Sequence, residues 1–170
     1  MIFVTVGTHE QQFNRLIKAV DELREGKVIE EVVIIQTGYS TYEPKCCEWS
    51  KLYSYQEMVR YVAEARIVIT HGGPSSFIMP LQVGKVPIVV PRQKHFGEHV
   101  NDHQMEFCRV VKERVGNIIL VEEIQKLSES ITSYSSIVLD IEVGKGSNNK
   151  QFIIGFESVI AELMQKGKKG

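Results

Sequence analysis

His71-Gly72-Gly73-Pro74-Ser75-Ser76 lies between a short apolar run and a segment of helical spacing. Two glycines let backbone N–H groups approach a ligand, and the serines stand where a helix begins, so the turn fits an anion. It lacks the Gly-Lys-Ser/Thr ending of a Walker loop and the G-x-G-x-x-G spacing of a dinucleotide turn. Contact with a phosphate or diphosphate is the chemistry it offers. Gly7-Thr8-His9 occupies the equivalent place after the first apolar run. A glycine there permits close backbone approach and Thr8 adds a hydroxyl, although a plain turn reads equally well. Gln36-Thr37-Gly38 closes the second run and reads as a polar exit turn.

The densest polar stretch runs over 91–104, from Pro91-Arg92-Gln93-Lys94-His95 through Glu98-His99 to Asn101-Asp102-His103-Gln104. His95, His99 and His103 are spaced by four, which on one continuous helix would suit a metal. Phe96-Gly97 interrupts that helix, so a sugar-binding reading is preferred: amides, carboxylates and imidazoles hydrogen-bond adjacent hydroxyls. The five histidines, at 9, 71, 95, 99 and 103, all fall in strand-exit segments or in this loop.

These groups must be carried by an alternating framework. Short apolar, β-branched runs at 2–6, 32–35, 67–70, 87–90 and 118–121, with a weaker one at 46–49, read as strands. Helical spacing marks 12–23, 55–65, 75–83, 97–111 and 122–131. Strands alternating with helices predict an α/β, Rossmann-like, mostly parallel sheet with helices on both faces. Ligands of such sheets bind at the carboxyl ends of the strands, where the polar clusters stand.

The chain has 170 residues, with 43% hydrophobic and 24% charged, enough for the core of one domain and too apolar for global disorder. Lys and Arg number 20 against 21 Asp and Glu, for a net charge of −1, so bulk nucleic-acid binding through a basic field is not expected. Cys46, Cys47 and Cys108 make neither a disulfide framework nor a metal knuckle, and favour a reducing compartment. No signal peptide or bilayer-spanning run is visible, and a soluble, cytoplasmic protein is expected.

Residues 1–132 are expected to form the ligand-binding domain. The stretch 133–150 is polar and rich in Ser, Gly and Asn, and reads as a linker. Residues 151–170 then carry an amphipathic stripe (Phe152, Ile153, Phe156, Val159, Ile160, Leu163, Met164) and a basic end. That helix either packs on its own domain or reaches a partner.

Taken in order, Gly-Thr-His, Gln-Thr-Gly, His-Gly-Gly-x-x-Ser and Pro-Arg-Gln…Glu-His-x-Asn-Asp-His-Gln resemble the C-terminal domain of family 28 glycosyltransferases. The resemblance covers roughly residues 1–125. It is closest to the soluble subunits of two-component bacterial capsule and exopolysaccharide glycosyltransferases. These in turn are similar to the soluble subunit of the split dolichol-pathway UDP-N-acetylglucosamine transferase. Whole enzymes of this kind have the GT-B architecture of two Rossmann-like halves, and the chain looks like the C-terminal, donor-binding half. The resemblance implies inverting hexose transfer from a UDP-sugar, with UDP-galactose slightly preferred, to a lipid-diphosphate-linked saccharide. It also implies a membrane-associated acceptor-binding subunit that recruits the chain to the inner face of the cell membrane. No cofactor and no essential metal are implied, the UDP-sugar being the donor substrate.

Carried onto this sequence, the resemblance puts Gly7, Thr8, His71, Gly72, Gly73, Ser75 and Ser76 at the donor diphosphate. Tyr53, Tyr55 and Met58 would lie near the nucleoside. Asn101, Asp102 and Gln104 would face the sugar. Many relatives hold ribose with a glutamate five residues before the closing glycine of the helix after His-Gly-Gly. Here that position is Met79, followed by Pro80, so ribose must be held differently. His9 is the candidate base within the chain, since imidazole titrates near neutrality, and a residue of the missing half is the competing choice. Two other readings stand beside this one: a non-catalytic stabilising or regulatory subunit, and a self-sufficient nucleotide-sugar enzyme such as an epimerase.

Overall fold

The computed structural model describes residues 1–145. Six strands form one sheet in the order β3-β2-β1-β4-β5-β6, every neighbouring pair parallel. They are β1 (Ile2–Thr5), β2 (Val33–Gln36), β3 (Glu48–Ser50), β4 (Ile67–His71), β5 (Ile88–Val90) and β6 (Ile119–Leu120). The helices are α1 (Asn14–Glu25), α2 (Tyr55–Glu64), α3 (Pro74–Gln82), α4 (His103–Arg114), α5 (Leu127–Thr132) and α6 (Tyr134–Lys145). This is the expected α/β sheet, and its strand order reverses between β1 and β4.

Side-chain alternation divides the core into two layers. Ile2, Val4, Val33, Ile35, Ile67 and Ile69 face α1, α5 and α6. Phe3, Ile34 and Val68 face the other way, onto Val62 and Met58 of α2 and Met79 of α3. Phe77 of α3 with Cys108 and Val111 of α4 covers Val89 on that same side. Leu16, Ile17 and Val20 of α1 are wholly buried, worth roughly 1.5–3 kcal/mol each. Buried on both faces, these parallel strands read as unbroken apolar runs.

Three expectations need correction. The stretch 97–111 is not one helix: Lys94–Phe96 is a single 3-10 turn, Gly97 is left-handed (φ 67°), and α4 starts only at His103. The Asn101 carboxamide oxygen accepts from the His103 N–H, a local turn bond that competes with helix. Within 122–131 a 3-10 turn (Ile124–Lys126) precedes the short α5. Most of the supposed linker 133–150 is α6. Beneath its serines Tyr134, Ile137, Val138 and Ile141 recur at i, i+3, i+4 and i+7, and they pack on the sheet. The Tyr134 hydroxyl also donates to the Val86 carbonyl at 2.7 Å. The stripe expected over 151–170 lies outside the described residues. No helix among the described residues is long and apolar enough to cross a membrane.

Candidate functional site

A cavity of about 800 Å³ opens at the carboxyl ends of β1, β2 and β4, at the point where the strand order reverses. Gly7, Thr8, His9 and Glu10 of the loop after β1 form one side. His71, Ser75 and Ser76 come from the β4–α3 turn, and Tyr53, Tyr55, Met58 and Val62 from α2 and the residues just before it. Thr5 and Gln36 lie at the strand ends, and Met79 completes the lining from α3.

The aromatic wall is placed by a capping box. Ser54 Oγ accepts from the Glu57 N–H, and the Glu57 carboxylate accepts from the Ser54 N–H at 2.8 Å. That fixes where α2 begins, and with it Tyr55 and Met58. The Tyr53 ring meets Tyr61 edge-on at 5.0 Å and Phe3 at 6.3 Å.

His71 is the hub of the phosphate-type turn. Its ring is buried, and Nδ1 accepts the Gly73 N–H at 2.8 Å. An N–H donor on Nδ1 leaves the neutral ring's proton on Nε2, so His71 presents an N–H donor. Burial first, then Arg92, His9 and His99, hold its pKa down to about 3. The glycines beside it make room for this ring. A Cβ on Gly7 would lie 2.1 Å from His71 Nε2, and one on Gly73 would lie 2.3 Å from His71 Cε1. Gly7 also has φ +74°, whereas Gly73 has an ordinary φ of −73°. Gly72 serves packing: its Cβ position is 3.0 Å from Cys108 Sγ and Pro91 Cα. Ser76 Oγ donates to the Gly73 carbonyl at 2.6 Å, while Ser75 is exposed at the opening of α3.

Behind the cleft lies a buried ionic frame that the sequence did not announce. Arg92 is 1% exposed, and its guanidinium donates to the carbonyls of Val6, Gln11, Gln12 and Glu98 at 2.9–3.2 Å. It also stacks over Phe13, 4.8 Å from the ring centroid. Glu98, 0% exposed, takes a two-bond pair from Arg15 at 2.8 and 2.9 Å and accepts the Gln93 N–H at 3.0 Å. Together these tie the loop after β5 to the loop after β1. Desolvation lowers the Arg92 pKa to about 10, which leaves it charged near neutrality.

The residues expected at the sugar do not line this cavity. Asp102 accepts the Lys94 N–H at 2.8 Å, Gln104 Oε1 accepts the Arg92 N–H at 3.2 Å, and Asn101 bonds the start of α4. All three hold their own loop. The loop still reaches the rim through His99, whose ring lies 5.1 Å from His9. His95, His99 and His103 share no helix, and among the described residues no group of three or more His, Cys, Asp or Glu side chains is placed to hold a metal.

Residues 1–152 match the glycosyltransferase family 28 C-terminal domain. The chain belongs to this family.

The family 28 chain is also similar to solved glycosyltransferases. SnogD from Streptomyces nogalater matches 95% of this chain with 43% of its own length, at 14% identity and a TM-score of 0.55. The calicheamicin glycosyltransferase CalG4 matches 98% with 42% of its own, at 13% identity and 0.59. The kitacinnamycin glycosyltransferase matches 98% with 42%, at 12% identity and 0.57. At such identities the likeness is one of fold, and the chain spans less than half the length of these enzymes. No curated protein matches the chain. The fold expected for the C-terminal half of a GT-B glycosyltransferase is the fold the family 28 chain has.

His9 is exposed on the rim, and its Nδ1 accepts the Gln11 N–H at 3.2 Å. That bond suits the tautomer with hydrogen on Nε2, a donor. Burial, Arg92 and His99 lower its pKa, and Glu10 opposes them. The residues that the reading above missed are Thr5, Glu10 and Val62 in the lining, and Arg92 and Glu98 as its frame. Strand alternation is the signal for Thr5, which is two residues from Phe3.

The neutral His71 makes stability depend on pH. The unfolded chain takes up this proton near the ordinary value of 6.5 and the folded chain only near 3, so the unfolded state gains as the pH falls. The contribution is complete above about pH 6.5 and is lost progressively toward pH 3. Urea midpoints between pH 7.5 and 4.5 should fall accordingly, and His71→Gln should flatten that fall.

Proposed function

We propose that this chain is the donor-binding subunit of an inverting glycosyltransferase, moving a hexose from a UDP-sugar, UDP-galactose being preferred, to a lipid-diphosphate-linked saccharide. It works with a membrane-associated acceptor-binding subunit that brings it to the inner face of the membrane. The observation that carries the reading is the His71 turn: a neutral imidazole donor, seated between two glycines at the start of α3, in a cleft with an aromatic wall. An imidazole N–H and helix-start amides suit a diphosphate, and Tyr53, Tyr55 and Met58 suit a flat heterocycle.

In the transfer, the acceptor oxygen attacks the anomeric carbon from the side opposite the diphosphate. The new C–O bond forms as the bond to the diphosphate oxygen breaks, and that oxygen leaves with the electron pair. The acceptor's proton passes to a base. Fixed donors aimed at the leaving oxygen act where charge develops, which makes leaving-group stabilisation the main contribution of this chain. The Gln11 N–H on Nδ1 supports a donor role for His9 in the same task, with the base then supplied by the acceptor subunit. No metal enters this scheme.

Titration of UDP into the purified chain tests the reading. Gly73→Val should weaken UDP at least tenfold, about 1.4 kcal/mol, because the new Cβ displaces the His71 ring. A folded Gly73→Val protein with unchanged UDP affinity removes this turn from the site. Transfer from radiolabelled UDP-sugars to membrane lipid, with and without the co-expressed acceptor subunit, tests the donor and the dependence on a partner. UDP binding by the chain alone argues against a purely stabilising subunit.

A further inference from the structure

We propose that Gln36 is a further donor-binding residue, whose side-chain NH2 donates to an acceptor oxygen of the nucleoside. The inference rests on the donor-binding reading and adds a contact at its nucleoside end. Gln36 is the last residue of β2 and is 4% exposed, yet it lines the cavity. It pairs in register with Thr5 on one side and Ser50 on the other.

Alternation fixes the face it occupies. Gln36 is two residues beyond Ile34, and Thr5 two beyond Phe3, so both stand on the layer covered by α2 and α3. The apolar cluster of that layer includes Tyr53, Met58 and Val62, the cavity's aromatic and aliphatic wall. Gln36 therefore stands, beside Thr5, at the end of the cleft where a heterocycle would pack.

Its orientation is held by a relay. The Gly7 N–H donates to Thr5 Oγ1 at 3.3 Å, and the Thr5 hydroxyl donates to Gln36 Oε1. With its oxygen engaged, the amide turns Nε2 to the cleft. Nε2 has no hydrogen-bond partner among the described residues, and it is not among the buried atoms left unpaired, so it opens onto the cavity. A buried amide with one end tethered and two N–H donors facing a cavity is built to read an acceptor oxygen. A base carbonyl and a ribose hydroxyl both supply one.

Calorimetric titration of the full chain with UDP and with 2′-deoxy-UDP tests this. Gln36→Met keeps the volume and removes the donors, so UDP affinity should fall at least tenfold. If 2′-deoxy-UDP shows the same loss, the oxygen read is on the base or is the ribose 3′-hydroxyl; if it shows none, the oxygen is the ribose 2′-hydroxyl. Equal UDP affinity of the wild type and a folded Gln36→Met protein overturns the proposal while the donor-binding reading stands. Failure of the wild-type chain to bind UDP overturns both. A measurement without any variant covers the case in which Gln36→Met does not fold: saturation with UDP should shift the assigned side-chain 15N–1H pair of Gln36, and an unmoved pair overturns the proposal.

Discussion

Arg92→Met should remove about 3–5 kcal/mol of folding stability, the range for taking away one member of a buried charged network. The methionine fills much of the arginine's volume but donates nothing. Four main-chain carbonyls, those of Val6, Gln11, Gln12 and Glu98, lose the donors that now satisfy them. Glu98 keeps Arg15 but loses the second cation near its carboxylate. Urea unfolding measures the effect, and an unchanged m-value identifies it as a loss of stability rather than of cooperativity. A change below about 1 kcal/mol would mean that the two loops hold their shape without this guanidinium.

Gly7→Ala should lower UDP affinity by about a hundredfold, near 2.7 kcal/mol. Two independent penalties meet at one atom. The backbone is left-handed there, which costs an L-residue roughly 1–2 kcal/mol. The added methyl would also stand 2.1 Å from His71 Nε2, so the ring must swing away. Swinging breaks the Gly73 N–H bond to Nδ1 and turns the donor out of the cleft. A cycle with His71→Ala separates the penalties: with the ring gone, Gly7→Ala should cost only the backbone share. Additive losses in that cycle would show that the clash with His71 is not what matters.

The strands were legible because a buried parallel sheet leaves no alternation to decode: Ile2 to Val4 and Ile67 to Ile69 are simply apolar throughout. The turns after β1 and β4 were legible from Gly and His types at strand ends. What those glycines accommodate was not, since only coordinates reveal that Gly7 and Gly73 flank one imidazole. The buried half of the 91–104 loop was not legible for a physical reason. Arg, Glu and Gln ordinarily signal solvent or ligand, and here Arg92, Gln93 and Glu98 are buried partners of the backbone. α6 was hidden by Ser135 and Ser136, which lie between the apolar positions of its inner face.

The placement of β1 also governs how the chain reaches this structure. β1 precedes both of its partners in the chain and sits inside the sheet, with Ile2 paired to Val33 on one edge and to Ile67 on the other. A chain emerging from the ribosome therefore carries an apolar strand with one open edge until β4 has been synthesised. Ordered pairing over such sequence distances is slow compared with helix formation. In that interval chaperone capture and aggregation compete with folding, and low temperature or slow synthesis should raise the yield of native protein.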